Sequence, residues 1–89
     1  MKREELIKAI LDTLAQIQRI SGRKVPTDMD SGTRPIGGLQ GFDSLNGLEL
    51  TVMLPDEIEW EGWNLCVSKD GKRALNVGEI VDRLIKGDN

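Results

Sequence analysis

Histidine and tyrosine are absent from this chain of 89 residues, and cysteine occurs once, at Cys66. Without histidine, Ser–His and Cys–His nucleophile pairs and histidine metal sites are excluded. A single cysteine excludes an intramolecular disulfide and argues against a structural zinc site. We therefore expect no catalytic residue and no bound metal, and we interpret Cys66 as a small buried hydrophobic residue.

Aromatic side chains are few, and they are limited to Phe42, Trp60 and Trp63. The core must therefore come from Leu, Ile, Val, Met and Ala, a composition that suits packed helices. The length is that of one domain, residues 1–89. We predict an all-α fold, a small bundle of three or four helices.

The chain has no excess of basic residues, because 12 Lys and Arg stand against 15 Asp and Glu, a net charge of -3. Nucleic-acid binding needs a basic patch, and the cluster Lys69, Lys72 and Arg73 is interpreted as a solvated turn. No apolar run approaches the roughly 20 residues of a membrane span, and no signal-peptide core follows the N-terminus. We expect a cytoplasmic monomer.

Two amphipathic helices are indicated near the ends of the chain. In residues 3–20 the apolar side chains are spaced one, three or four positions apart, which places them on one face of a helix. Gly22 follows, as glycine often does just past a helix end. Asn76 and Glu79 have the spacing of a capping box before a second apolar stripe, which Gly87 terminates.

A long loop is predicted between the first two helices, at residues 22–42, because this stretch contains two prolines and five glycines. Isolated apolar residues should hold the loop against the core: Val25, Met29, Ile36, Leu39 and Phe42. The next helix should begin with Asp43 or Ser44 as its N-cap. Its apolar positions repeat at helical spacing: Leu45, Leu48 and Val52.

Pro55 should end or kink that helix near residues 53–54, because proline removes an N–H donor and clashes with the preceding turn. We expect a kink or restart, then a short helical turn to about Trp60. Residues 63–75 are predicted to form a short extended, hairpin-like segment. In that segment Trp63, Leu65 and Val67 alternate, and the sequence Asp-Gly at 70–71 is typical of a tight turn.

The segment Gly41-Phe42-Asp43-Ser44-Leu45 resembles the Gly-x-Asp-Ser-Leu signature of acyl carrier proteins. The layout is also similar, since an amphipathic helix and a long loop precede a serine that opens a helix continuing Leu48-Glu49-Leu50. The resemblance covers about residues 5–86. It implies an acyl-carrier-like bundle and a 4′-phosphopantetheine arm on Ser44, whose thiol holds acyl groups as thioesters.

The resemblance also implies the partners and the role. A phosphopantetheinyl transferase would attach the arm with coenzyme A and Mg²⁺, and synthase or acyl-transferring enzymes would dock basic patches on the helix after Ser44. Such a carrier serves fatty-acid, lipid or polyketide-like biosynthesis without catalysing a reaction itself. The implied recognition residues are Asp43, Leu45, Glu49 and Asp56, with further acids at Glu57, Glu59 and Glu61.

Physical chemistry suits attachment at Ser44. A transferase must reach the hydroxyl, so it should lie at an exposed junction of loop and helix. The N–H groups at a helix N-terminus suit a phosphodiester, and Asp43 would help hold Mg²⁺ during transfer. The resemblance further implies that the bundle shelters the acyl chain, with small residues such as Gly47 and Ala74 leaving room for it.

Two alternatives remain open from the sequence. The same arm on Ser44 would serve an aminoacyl or peptidyl carrier equally well. In the other alternative, the chain is an unmodified helical interaction module, and Ser44 or Asp43 only caps a helix. Pro55 and the long segment 61–75 depart from the family pattern, which suggests a specialised carrier.

Overall fold

The computed structural model describes residues 1–60 and 62–87, and Glu61, one of the acids implied in docking, lies outside them. Within these ranges the regular elements are four helices: α1 (Arg3–Ile20), α2 (Pro35–Gly38), α3 (Ser44–Met53) and α4 (Val77–Lys86). This architecture confirms the predicted all-α bundle. None of these helices has the length and apolar character needed to cross a membrane.

Helix α1 packs against both α3 and α4, and the loops close the space between them. The core is aliphatic, as the shortage of aromatic residues predicts. Its buried members are Leu6, Ile10, Leu14, Ile17, Leu39, Phe42, Leu50, Leu65, Cys66, Leu75, Val77, Ile80 and Val81.

The ends of α4 follow the sequence signals. The Asn76 side chain accepts a hydrogen bond from the Glu79 amide at 2.8 Å, and the Glu79 carboxylate accepts one from the Asn76 amide at 3.0 Å. Gly87 ends the helix in the left-handed conformation at φ +63°. The predicted capping box and C-cap are therefore confirmed.

The loop between α1 and α3 includes α2, a single turn beginning at Pro35 that the sequence analysis did not predict. Leu39 and Phe42 are buried in the core, as expected of residues that hold the loop in place. Gln18 on α1 adds a polar tie, because its Nε2 donates to the carbonyl of Gln40 at 2.8 Å. These contacts fix the chain immediately before α3.

Beyond α3 the helix stop at Pro55 is confirmed, but the predicted helical restart is wrong. A single turn forms instead, in which the Ile58 amide donates to the Pro55 carbonyl at 2.9 Å. Trp60 then holds the chain in a bend, since its indole Nε1 donates to the carbonyl of Trp63 at 2.8 Å. The turn is confined to residues 55–58, and the chain does not continue as a helix to Trp60.

The hairpin-like segment is confirmed over residues 67–74 and wrong before them. Val67 and Ala74 form an antiparallel bridge, and Gly71 turns the chain at φ +76°. The alternation expected from Trp63 onward fails, because residues 64, 65 and 66 are all buried in succession. A turn closed by the Val67 amide and the Asn64 carbonyl replaces the strand there.

The cap of α4 predicts a pH dependence of stability. The hydrogen bond from the Asn76 amide, followed by the Arg73 guanidinium at 2.8 Å, holds the pKa of Glu79 below its ordinary value. A pKa lowered by folding means that the ionised carboxylate stabilises the fold above the unfolded-state pKa of about 4.3. That contribution disappears as the pH falls through the lower, folded-state pKa.

Glu79→Gln should therefore reduce the free energy of unfolding at pH 7, and the difference from the wild type should shrink below about pH 4. Urea unfolding followed by circular dichroism at several pH values measures this. Glu59→Gln, a change in an exposed acid outside the helices, is the control. A Glu79→Gln difference that does not change with pH would contradict the assignment.

Candidate functional site at the start of helix α3

Ser44 is the first residue of α3 and is exposed at the junction with the long loop. Of the two predicted N-cap residues, Asp43 caps the helix: its Oδ1 accepts hydrogen bonds from the amides of Leu45 at 3.0 Å and Asn46 at 3.2 Å. The Ser44 hydroxyl is therefore not the capping group. It lies one residue inside the helix, where an enzyme can approach it.

Two of the helix N–H groups that were expected to suit a phosphodiester already have a partner in this helix. Asp43 occupies the amides of Leu45 and Asn46, and its own carbonyl accepts from Gly47 at 3.1 Å. The residues fit an arm that is attached covalently to an exposed hydroxyl but is not bound by the amides of Leu45 and Asn46. Both side-chain hydrogen bonds that Asp43 accepts from the described residues end on Oδ1.

Asn46 is buried and ties α3 to the preceding loop. Its Oδ1 accepts from the Asp43 amide at 3.1 Å and from Arg23 Nη1 at 2.9 Å, while its Nδ2 donates to Glu49 at 2.6 Å. Arg23 reaches Asn46 by passing over Gly41, where a Cβ atom would lie 2.8 Å from Arg23 Nε. The glycine of the sequence signature therefore has a structural role here, which is to admit Arg23.

Asn64 holds the other side of α3 and is only 2% exposed. Its Nδ2 donates to the Ser44 carbonyl at 2.9 Å, and its Oδ1 accepts from the Cys66 amide at 2.9 Å. The side chain lies directly against Gly47, where a Cβ atom would be 2.7 Å from Nδ2 and 2.9 Å from Cγ. The space left by Gly47 is thus filled by the amide of Asn64.

Thr51 extends this contact along α3. Its Oγ1 donates to the Gly47 carbonyl at 2.9 Å and accepts from the Leu65 amide at 3.3 Å. We call the junction between α3 and residues 64–66, made by these hydrogen bonds and those of Asn64, the polar seam. The polar seam fixes the backbone from which the Ser44 hydroxyl projects.

Arg83 of α4 supports residues 64–67 from behind. Its Nη1 donates to the carbonyl of Asn64 at 3.2 Å and also to that of Val67. Its guanidinium lies over the Trp60 ring, 4.9 Å from the centroid. Trp60 is therefore half-buried, whereas Trp63 is 72% exposed.

Leu45, Glu49 and Val52 recur at helical spacing on α3, and all three are exposed. We call these three residues the outer face. Leu45 is 69% exposed and Val52 is 81% exposed, so the outer face is mainly apolar, with one acid between its two hydrophobic residues.

The four predicted recognition residues do not form one cluster. Asp43, Leu45 and Glu49 lie within the first two turns of α3. Asp56 follows the helix, next to Pro55, which lines a crevice with Met1 and the start of α1. Since α3 is about 15 Å long, Asp56 lies near the opposite end of the helix from Ser44.

Cys66 is buried in the core, which confirms its interpretation as a small hydrophobic residue. Burial raises the pKa of its thiol to about 12. The thiol is therefore protonated at neutral pH, and it does not act as a nucleophile.

Sequence reasoning missed three residues that position Ser44: Arg23, Asn46 and Asn64. One signal pointed to them, because a glycine within a helix pattern costs stability and often marks the close approach of another group. Gly47 is such a glycine, and Asn64 is the group that approaches it.

Comparison of the chain with models of protein families, with curated proteins and with solved structures gave no match. Function is therefore inferred from Ser44 and its surroundings.

The contact between Gly47 and Asn64 predicts a strong coupling between the two positions. Gly47→Ala should destabilise the protein by about 1–3 kcal/mol, because the added methyl overlaps the amide. Asn64→Ala should cost a similar amount, about 1–3 kcal/mol, because it removes the buried partner of the Cys66 amide. With Asn64→Ala already present, Gly47→Ala should instead stabilise α3 by up to about 1 kcal/mol.

Urea unfolding of the two single variants and the double variant measures this coupling. Gly47→Ala combined with Asn76→Ala, at the remote cap of α4, is the matched control and should be additive within a few tenths of a kcal/mol. Additivity of Gly47→Ala with Asn64→Ala would show that the two residues do not compete for the same space.

Proposed function

We propose that the chain is a carrier protein on which Ser44 receives a 4′-phosphopantetheine arm. The observation that carries the proposal is an exposed serine hydroxyl at the first residue of a helix whose backbone is held on both sides by buried amides, Asn46 and Asn64. The arm supplies a terminal thiol that holds an acyl group as a thioester. The chain itself supplies a reachable, fixed point of attachment.

The residues around Ser44 have distinct tasks in this proposal. Loading forms a bond between Ser44 Oγ and phosphorus and breaks the pyrophosphate of coenzyme A, which releases adenosine 3′,5′-bisphosphate. The hydroxyl proton passes to the transferase. Asp43 Oδ2 would help hold a Mg²⁺ ion, which would supply positive charge to the phosphates. The polar seam fixes the backbone of Ser44 while an enzyme binds to α3.

The outer face of α3 is the proposed docking surface for the transferase and for enzymes that use the cargo. Leu45 and Val52 offer apolar contacts, and Glu49 offers a charge that a basic patch would recognise. Asp56 would contribute only to a partner that spans the full length of α3. Docking on this surface requires no unfolding, because these side chains are already exposed.

Two other functions share parts of this geometry. An aminoacyl or peptidyl carrier would use the same serine and the same arm. An unmodified interaction module would use the outer face without any arm. The experiment below separates the module from both kinds of carrier.

Incubation of the protein with coenzyme A, Mg²⁺ and a broad-specificity phosphopantetheinyl transferase should add the mass of one phosphopantetheine group. Ser44→Ala should abolish the gain while the circular dichroism spectrum stays helical. Ser31→Ala, a change of an exposed loop serine, is the matched control and should load normally. Intact-mass spectrometry measures the mass of all three proteins. An unchanged mass for the folded wild type would refute the carrier function.

Leu45→Ala should slow loading by on the order of tenfold at low carrier concentration, as expected when an apolar interface residue is truncated. Its stability should be nearly unchanged, since Leu45 is exposed. Ile85→Ala is the matched control, because Ile85 is also exposed but lies beside Met1 and Leu6. Equal loading rates for the two variants, followed by mass spectrometry, would argue against docking on the outer face.

A further inference from the structure

The polar seam lies beside Ser44, between α3 and the chain that follows it, because the Asn64 side chain donates to the Ser44 carbonyl. Two hydrogen bonds close it, one from Asn64 Nδ2 to the Ser44 carbonyl and one from the Leu65 amide to Thr51 Oγ1. The Cys66 amide donates to Asn64 Oδ1 and holds that side chain in place. The room that Gly47 was expected to leave for cargo is taken by Asn64.

Opening this seam would leave polar groups without partners. An alkyl chain can accept neither from Asn64 Nδ2 nor from the Leu65 amide, so its entry would strand two donors that are now paired with α3. Residues 64–67 also resist displacement, because Arg83 donates to the carbonyls of Asn64 and Val67 and is itself stacked on Trp60. A hydrocarbon therefore competes poorly with Asn64 for this space.

We propose, on the basis of the carrier function proposed above, that Asn64 excludes the cargo from the bundle and that Ser44 carries short or polar acyl groups outside it. Acyl groups of a few carbons, or with hydroxyl or amino substituents, lose little by remaining in water. A long alkyl chain held outside would present a large apolar surface to solvent and favour association. Asn64 is thus a specificity-determining residue for cargo.

The test loads the full chain with acetyl-coenzyme A or octanoyl-coenzyme A, using Mg²⁺ and the same broad-specificity transferase, and verifies each product by intact mass. The Tm of each form is then measured by circular dichroism. In the wild type the acetyl and octanoyl forms should unfold within about 1 °C of each other. A chain that enters the bundle binds the folded state and would raise Tm by several degrees.

Asn64→Ala removes the amide and should reverse the outcome, with the octanoyl form several degrees more stable than the acetyl form. Asn76→Ala, which weakens the distant cap of α4, is the matched control and should behave like the wild type. If Asn64→Ala does not fold, Asn64→Ser takes its place, because the smaller polar side chain still vacates most of the amide's space.

Each outcome decides one part of the proposal. A higher Tm for the octanoyl form of the wild type overturns the exclusion of cargo, wherever the chain has lodged. If the acetyl and octanoyl forms have equal Tm values in the wild type and also in the folded Asn64 variant, the role of Asn64 is overturned. The absence of a mass gain with either donor refutes the carrier function itself. This outcome is seen by mass spectrometry before any Tm is measured, so it is distinguished from the other two.

Discussion

The amide of Asn64 is the contact on which the arrangement around Ser44 depends. It joins the first turn of α3 to the chain before the hairpin-like segment, with hydrogen bonds to the Ser44 carbonyl and from the Cys66 amide. A buried amide that bonds two backbone groups at once is costly to remove, because its loss leaves the buried Cys66 amide without this acceptor. Gly47 is the condition for this contact, since any side chain there would occupy the same space.

Asn46 has the corresponding role on the loop side. It connects Asp43 and Arg23 to Glu49, so the cap, the loop and the outer face share one hydrogen-bonded chain. Gly41 admits Arg23 as Gly47 admits Asn64. In both cases a missing side chain lets a long polar residue reach α3, and the start of the helix is consequently held by polar groups as well as by the aliphatic core.

The features that sequence predicted correctly are local ones. The capping box of Asn76 and Glu79, the stop at Pro55 and the left-handed Gly87 each depend on residues within a few positions of one another. The contacts that hold Ser44 join residues about 20 positions apart in the chain. A local pattern does not identify both partners, since Gly47 signals a close approach without showing which residue approaches. The expectation of open N–H groups beside Ser44 is different, because treating Asp43 as the cap already implies that the amides of Leu45 and Asn46 are occupied.

The outer face explains why such firm support is needed. A helix with hydrophobic residues on more than one side tends to turn until as many as possible are buried. Leu50 is buried while Leu45 and Val52 remain exposed, and the polar seam holds the helix in this orientation because rotation would break its hydrogen bonds. In the proposed carrier a partner enzyme completes the burial, and a face that is already fixed loses less conformational freedom when it docks.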